Sequence, residues 1–162
     1  ANSYLAQVQQ NAEQYNGFNI VLGDTQALYY FSNKQDGIQS IPSGHHVLSN
    51  HLLNSPWPKS KKLRQGFAQL PLQALLNSGN LEPLFSCLYD QEKAFDEELP
   101  QTGISLEWER LLSSPFIISE DYGTRCSTIL AIHQNGQAFF TERRFDVMGH
   151  VIGEQQFWPW RG

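Results

Sequence analysis

Long apolar runs are missing from this sequence. No stretch approaches the roughly 18 consecutive apolar residues of a membrane-spanning helix, and no signal peptide is visible at the start. Cysteine occurs twice, as Cys87 and Cys126, without the close spacing of a zinc site or a disulfide framework. Free thiols in a reducing, cytoplasmic compartment are the expectation. Cations are scarce too: 11 Lys and Arg stand against 16 Asp and Glu, a net charge of -5. Nucleic-acid binding needs a basic face, so it is not expected; only Lys59, Lys61, Lys62 and Arg64 cluster. There is no glycine-rich phosphate loop, which argues against a doubly wound nucleotide fold.

What is present suffices for a packed domain. Hydrophobic residues make up 40% of the chain and charged residues 17%, a balance that excludes disorder. The 162 residues fit one domain, residues 1–162.

Periodicity divides the chain into segregated runs. "SYLAQVQQNAEQY" places Tyr4, Leu5, Val8, Ala12 and Tyr15 on one helical face, with Asn2 or Ser3 as cap and Asn16-Gly17 as stop. "FNIVLGD" and "ALYYFSN" read as paired strands, and Gly23 to Gln26 suit the hairpin between them. "GIQSIPSG" is a short strand at an edge, because of Pro42; "HHVLSN" reads as another. From Ser60 the period turns helical through Leu63, Phe67 and Leu70. Pro71 starts a second helix, Asn80 caps a third, and Ser105 caps "SLEWERLLSS". Residues 90–103 form an acidic loop. "FIIS" is a short strand, followed by "TRCSTILAIH", "QAFFTERRF" and "VIGEQQFWPW" as a meander. Asn135-Gly136 signals a type I′ turn. On "TRCSTILAIH", Cys126, Thr128, Leu130 and Ile132 share one face, on which Cys126 is expected to be buried. Arg125, Ser127, Ile129, Ala131 and His133 share the other. Strands and helices in separate runs imply an α+β fold with antiparallel sheets.

Three groups of residues could carry chemistry. Asn50 ends an apolar run just before Pro-Trp-Pro, where a side-chain amide can donate to a developing oxyanion or a ligand carbonyl, or simply cap the turn. "DYGTRCST" crowds Tyr122, Thr124, Arg125 and Ser127 at a strand start. Arg125 there can fork onto a carboxylate or phosphate, or pair with Glu142 across the hairpin. The histidines include His46, His51 and His133 as conceivable haem-iron ligands, although no pair has a strong ligand spacing. Trp57 either lids a pocket or seals a helix start, with Lys59 beside it. The tail "FWPWRG" either packs at an edge or docks a partner.

"YNGFNIVLGD", "LYYFSNK", "GHHVLSNHLLNSPWPK", "FIISEDYGTRCSTIL" and "GQAFFTERRFD", in this order, resemble the transport and Golgi organisation family, also called NRDE after an Asn-Arg-Asp-Glu motif. The resemblance implies a four-layer αββα sandwich like that of the N-terminal-nucleophile hydrolases, here lacking its first strands. It implies an inherited pocket in which Asn50 and Arg125 converge, with Trp57, Lys59, Tyr122, Thr124 and Ser127 at its wall. Family members begin with a cysteine and carry the motif some twenty residues on. This chain has neither, and Ala1 offers no nucleophile, so it corresponds to the C-terminal two-thirds of such a domain. The implied function is haem binding and trafficking, without catalysis. The partner is haem or another amphipathic anion, and a complementary N-terminal segment or a second copy is a further partner. The address is cytoplasmic, with mitochondrial or Golgi association in a eukaryote. The alternative is an amidohydrolase or acyltransferase whose cysteine nucleophile lies upstream.

Overall fold

Alternating residues of "LYYFS" meet two different environments, and that alternation builds the first part of the molecule. The computed structural model describes residues 1–24, 26–133 and 135–160, the last three without their side chains. The chain divides into two compact units, Ala1–Ser55 with His133–Gly136, and Pro56–Ile132 with Gln137–Gly162. Among the described residues there are five α-helices and two antiparallel three-stranded sheets, the α+β architecture that the segregated runs imply.

In the first unit, helix α1 (Asn2–Gln10) precedes strands β1 (Asn19–Gly23), β2 (Leu28–Ser32) and β3 (Gln39–Ile41), in the order β1-β2-β3. Register pairs Ile20 with Phe31 and Leu22 with Tyr29. These side chains face α1, where Leu5, Ala12 and Phe31 are buried with Val8, Phe18 and Ile38 against them. The opposite face carries Tyr30 and Ser32, both fully buried. Asp24 shapes the β1–β2 turn, accepting from the Gln26 and Ala27 amides at 2.9 and 3.1 Å.

Helix α1 differs from expectation at both ends. No side chain caps it: Asn2 already lies inside and Ala1 is the N-cap. It stops at Gln10, not at Asn16-Gly17, and a 3-10 turn covers residues 12–14. The cause is Asn33. Its amide donates to the carbonyls of Ala12, Tyr15 and Asn16 at 3.0 to 3.2 Å and accepts from the Phe18 amide at 2.9 Å. Those carbonyls are thereby satisfied without further helix. Tyr4 and Tyr15 consequently stay exposed, at 58% and 64%; of the expected stripe, Leu5 and Ala12 are buried.

In the second unit, α2 (Pro58–Ala68), α3 (Leu72–Ser78), α4 (Glu82–Leu88) and α5 (Leu106–Leu111) precede β4 (Cys126–Ile132), β5 (Ala138–Phe145) and β6 (Val151–Trp160). Most helix signals hold. Pro58 occupies the first turn of α2, Pro71 immediately precedes α3, and Ser105 accepts the Trp108 amide at 3.4 Å. Asn80 is not the cap of α4: Leu81 takes that position without a side-chain cap bond, and Asn80, one residue earlier, accepts the Glu82 amide at 3.3 Å. Leu75, Leu81, Leu84, Phe85 and Phe139 form the core, with Ile129 and Ala131 of β4 against it. Arg143 extends over the Phe85 ring at 4.0 Å and forks onto Glu82 at 3.1 and 2.8 Å, with Glu154 on its other side. In the acidic loop, Arg110 grips Asp96 with two bonds of 2.8 and 2.5 Å.

A strand expectation and a turn expectation fail here. "FIIS" belongs to no strand among the described residues. Its partner is the next loop: Thr124 N–H donates to the Ile117 carbonyl at 2.8 Å, and Ile117 N–H donates to Thr124 Oγ1 at 3.0 Å. The β4–β5 turn is also not the two-residue form that Asn135-Gly136 signals, although Gly136 does have φ of 83°. Ile132 pairs with Ala138, one residue off a two-residue hairpin, and this register puts Phe139 in the core. The Trp158, Trp160 and Arg161 side chains of the tail lie outside the described residues.

Two stability effects follow. Thr141 is fully buried and its hydroxyl has no hydrogen-bond partner among the described residues. Thr141→Val removes that unsatisfied group at nearly constant shape and is expected to raise stability by about 1 kcal/mol in urea unfolding. Hydrogen bonds from Arg143 hold the Glu82 carboxyl below the usual carboxylate range. A depressed folded value stabilises above the unfolded pKa and ceases to do so as pH falls through the folded one. Unfolding midpoints measured below about pH 4.5 should therefore fall with pH, and fall less steeply in Glu82→Gln.

Candidate functional site

The run "HHVLSNHLLNS" contains the first nominated residues. It forms a loop instead of the expected strand, because Asn54 turns the chain back on itself. Asn54 has φ of 60°, the one positive φ outside glycine among the described residues. Its Oδ1 accepts the Val47 amide at 3.0 Å and its N–H donates to the Val47 carbonyl at 2.8 Å. Its Nδ2 donates to His46 Nδ1 at 3.0 Å. An amide side chain that mimics backbone and tolerates the left-handed region explains asparagine here. The loop is anchored on the sheet by Tyr30, whose hydroxyl accepts the Leu53 amide at 3.2 Å and donates to Asn19 at 2.6 Å.

This clamp makes a graded prediction. Asn54→Ala loses the side-chain bonds and keeps the φ strain, and is expected to cost about 2–3 kcal/mol. Asn54→Gly loses the same bonds without the strain and should cost about 1 kcal/mol less. Equal costs in urea unfolding would show that the left-handed turn stores no strain.

Asn50 stands on this loop, exposed. It does not cap the turn, and its amide makes no hydrogen bond among the described residues, so both its donors are available. The two histidines beside it are engaged. His46 Nε2 lies 2.9 Å from the Pro42 carbonyl while its Nδ1 accepts from Asn54, so the proton sits on Nε2 and neither nitrogen is open to iron. His51 Nδ1 lies 2.7 Å from Ser55 Oγ, which itself donates to the Leu52 carbonyl at 2.6 Å. His133 is exposed, and its Nδ1 takes the Asn135 amide at 3.3 Å. No group of three His, Cys, Asp or Glu side chains among the described residues has metal-binding geometry.

In the second unit, Trp57 is the N-cap residue of α2, and Lys59 extends over its ring at 5.6 Å. The Lys59 ammonium donates to the Leu112 carbonyl at 2.6 Å. Burial pushes its pKa below the usual lysine value, and the Glu109 carboxylate opposes that. Tyr122 stacks edge-on against Trp108 at 5.7 Å, and Ser127 is buried under the helices. Thr124, bonded both ways to Ile117, fixes the loop that leads into β4. Gly123 is required there, since a Cβ would stand 2.7 Å from the Ile117 carbonyl oxygen and 3.2 Å from Arg125 Nη1. Arg125 itself is exposed, with no ion pair or hydrogen bond on its guanidinium among the described residues. It does not pair with Glu142, because the register sets Glu142 opposite Thr128.

The face of β4 expected to be buried is the open one. Cys126 is exposed, and Leu130 and Ile132 are each 59% exposed; Ser127, Ile129 and Ala131 turn inward. Across the sheet, Leu130 pairs with Phe140 and Phe140 with Phe157, the two rings meeting edge to face at 5.7 Å. Phe157 is 58% exposed. Further along the same face, Arg144 stands opposite Cys126, exposed and without a polar partner among the described residues. The result is an apolar platform of Leu130, Ile132, Phe140 and Phe157, with the unpaired guanidinium group of Arg144 at one end of the same face; Arg125, just before β4, alternates to the Ser127 side. Four residues at 3.3 Å rise separate Cys126 from Leu130, about 13 Å. Contiguous apolar exposure of this kind marks an interaction site. Arg144 lies in "TERRFD", and only the hairpin register could have placed it opposite Cys126, on the face of Leu130.

The Transport and Golgi organisation 2 family matches residues 1–147. The chain is 32% identical to the Transport and Golgi organization protein 2 homolog of Bos taurus, over 87% of its own length and 55% of that protein. It is 31% identical to the Transport and Golgi organization 2 homolog of Mus musculus, with the same coverage, and 32% identical to the Homo sapiens homolog. It thus spans about half the length of these curated relatives. No helix among the described residues is long and apolar enough to cross a membrane. The chain belongs to the Transport and Golgi organisation 2 family.

Proposed function

We propose that this chain carries haem, or another flat anion with an apolar body, and that it acts as a carrier and not as an enzyme. The observation that supports this is the open face of β4–β6. Leu130, Ile132 and Phe157 leave more than half of their surface in water, on the same face as the Arg144 guanidinium, which has no partner among the described residues. A porphyrin laid on this platform buries its ring against the apolar side chains, and a propionate meets Arg144 about one ring width away. Charge-assisted, forked pairing suits arginine and carboxylate. His46 has both ring nitrogens in hydrogen bonds, so the seat rests on apolar contact and ion pairing. A ligand held this way leaves readily, as transfer to an acceptor requires. A cytoplasmic address, at the surface of the organelles that make or use haem, goes with this reading.

Titration of the protein with haem, followed at the Soret band, tests it. A saturable shift is expected, and it should disappear in the Leu130→Glu/Phe157→Glu variant, which stays folded because both side chains are exposed. No saturable shift, or the same shift in the variant, overturns the reading.

Asn50 favours a second reading. Its unbonded amide is the donor that an N-terminal-cysteine amidohydrolase or acyltransferase on the αββα scaffold would use for its oxyanion. The thiol would come from outside these 162 residues. A panel of amides and thioesters, assayed with the longer protein, decides this: turnover that falls about 100-fold in Asn50→Ala supports the enzyme, and no turnover removes it.

A further inference from the structure

The second unit has another site, built from different residues. A groove of about 270 Å³ runs between the first turns of α2 and residues 92–95. Four of its lining side chains are cationic, Lys59, Lys61, Lys62 and Lys93, against two carboxylates, Glu92 and Glu98. Its walls thus sum to +2 in a chain whose net charge is -5. The lysines are not equivalent. Lys59 is drawn inward to the Leu112 carbonyl, and Lys62 is held by Asp90 and Glu92. The ammonium groups of Lys61 and Lys93 have no hydrogen-bond or ion-pair partner among the described residues, and both are exposed.

Beside them stands Phe95, 75% exposed and without a ring partner among the described residues. A large ring left in water next to two unpaired cations is costly unless something covers it. Lys59, Lys61 and Lys62 also sit in the first turns of α2, where their charge opposes the helix dipole. An anion between Lys61 and Lys93 relieves that repulsion.

We propose that this groove binds a small phosphorylated molecule with a flat ring. The phosphate lies between Lys61 and Lys93, and the ring stacks on Phe95. Lysine suits a phosphate as a mobile point charge, and an exposed aromatic face accepts any planar heterocycle. A volume of this size takes a single phosphorylated ring compound and not a polymer. The site is separate from the β4–β6 platform and does not depend on the haem reading.

Calorimetric titration with adenosine monophosphate, adenosine and inorganic phosphate tests it. Adenosine monophosphate should bind saturably, at least tenfold more tightly than adenosine or phosphate alone, and more weakly as salt rises. Lys61→Gln/Lys93→Gln should weaken its binding at least tenfold, and Phe95→Ala should do the same while leaving inorganic phosphate unaffected. Lys34→Gln, an exposed lysine of the first unit, should change nothing. No saturable binding, equal binding of adenosine and its monophosphate, or an unaltered affinity in either groove variant overturns the proposal. All the replaced side chains are exposed, so thermal melts of the variants should match that of the parent.

Discussion

Replacing Arg144 by alanine is expected to weaken haem binding about tenfold while leaving the unfolding midpoint unchanged. Its guanidinium makes no ion pair or hydrogen bond among the described residues, so the folded protein loses no contact when it goes. In the complex it would form a charge-assisted bond to a propionate. Such a bond contributes about 1.4 kcal/mol, or tenfold, at low salt. Arg144→Lys should fall between, since lysine keeps the charge and loses the fork. The effect should shrink as salt rises, because the group is exposed to counterions. An affinity unchanged in Arg144→Ala would mean that the propionates face elsewhere, and the platform would then lose its polar half.

The largest effect on stability is expected at Phe116, which is 1% exposed. Its ring lies 4.4 Å from that of Tyr89 and 4.7 Å from that of Phe145. Tyr89 in turn donates to the Gly149 carbonyl at 2.9 Å. Gly149 is needed there: its φ is 80°, and a Cβ would stand 2.7 Å from Ile118 Cδ1 and 3.2 Å from the Phe116 ring. A site so crowded cannot close around a lost ring. Phe116→Ala should therefore cost about 3–5 kcal/mol, transfer and cavity terms together. A loss below about 1 kcal/mol in urea unfolding would show that the aromatic cluster repacks, contrary to the tight packing of protein interiors.

What could be read in the sequence was local. Turn and cap chemistry located α2 to α5, because proline, asparagine and serine act within one turn of where they stand. Period-two alternation located β4 and separated its faces correctly: Cys126, Thr128, Leu130 and Ile132 do share one. Which face the helices would cover was not legible. Leu130 and Ile129 are equally apolar, and the choice is made by α4 and Phe139, far off in sequence. The β4–β5 register was likewise one residue from the Asn-Gly expectation, and that single step decides whether Phe139 or Phe140 enters the core. At "HHVLSN" propensity favoured a strand, and a clamp from Asn54, seven residues past Val47, overrode it. Asn50 and Arg125 were picked out by residue type and position. Arg144 was missed, because its meaning lies entirely in its cross-strand neighbour.

The central claim is that the open face of β4–β6 seats the porphyrin, and haem iron provides its own probe. With methyl-labelled protein, substoichiometric iron(III) haem should broaden the Leu130 and Ile132 methyl resonances first. Those of Leu75 and Leu84, beneath the opposite face, should stay sharp. Broadening that begins at Leu75 or Leu84, or that spares Leu130 and Ile132 at saturation, would contradict the account.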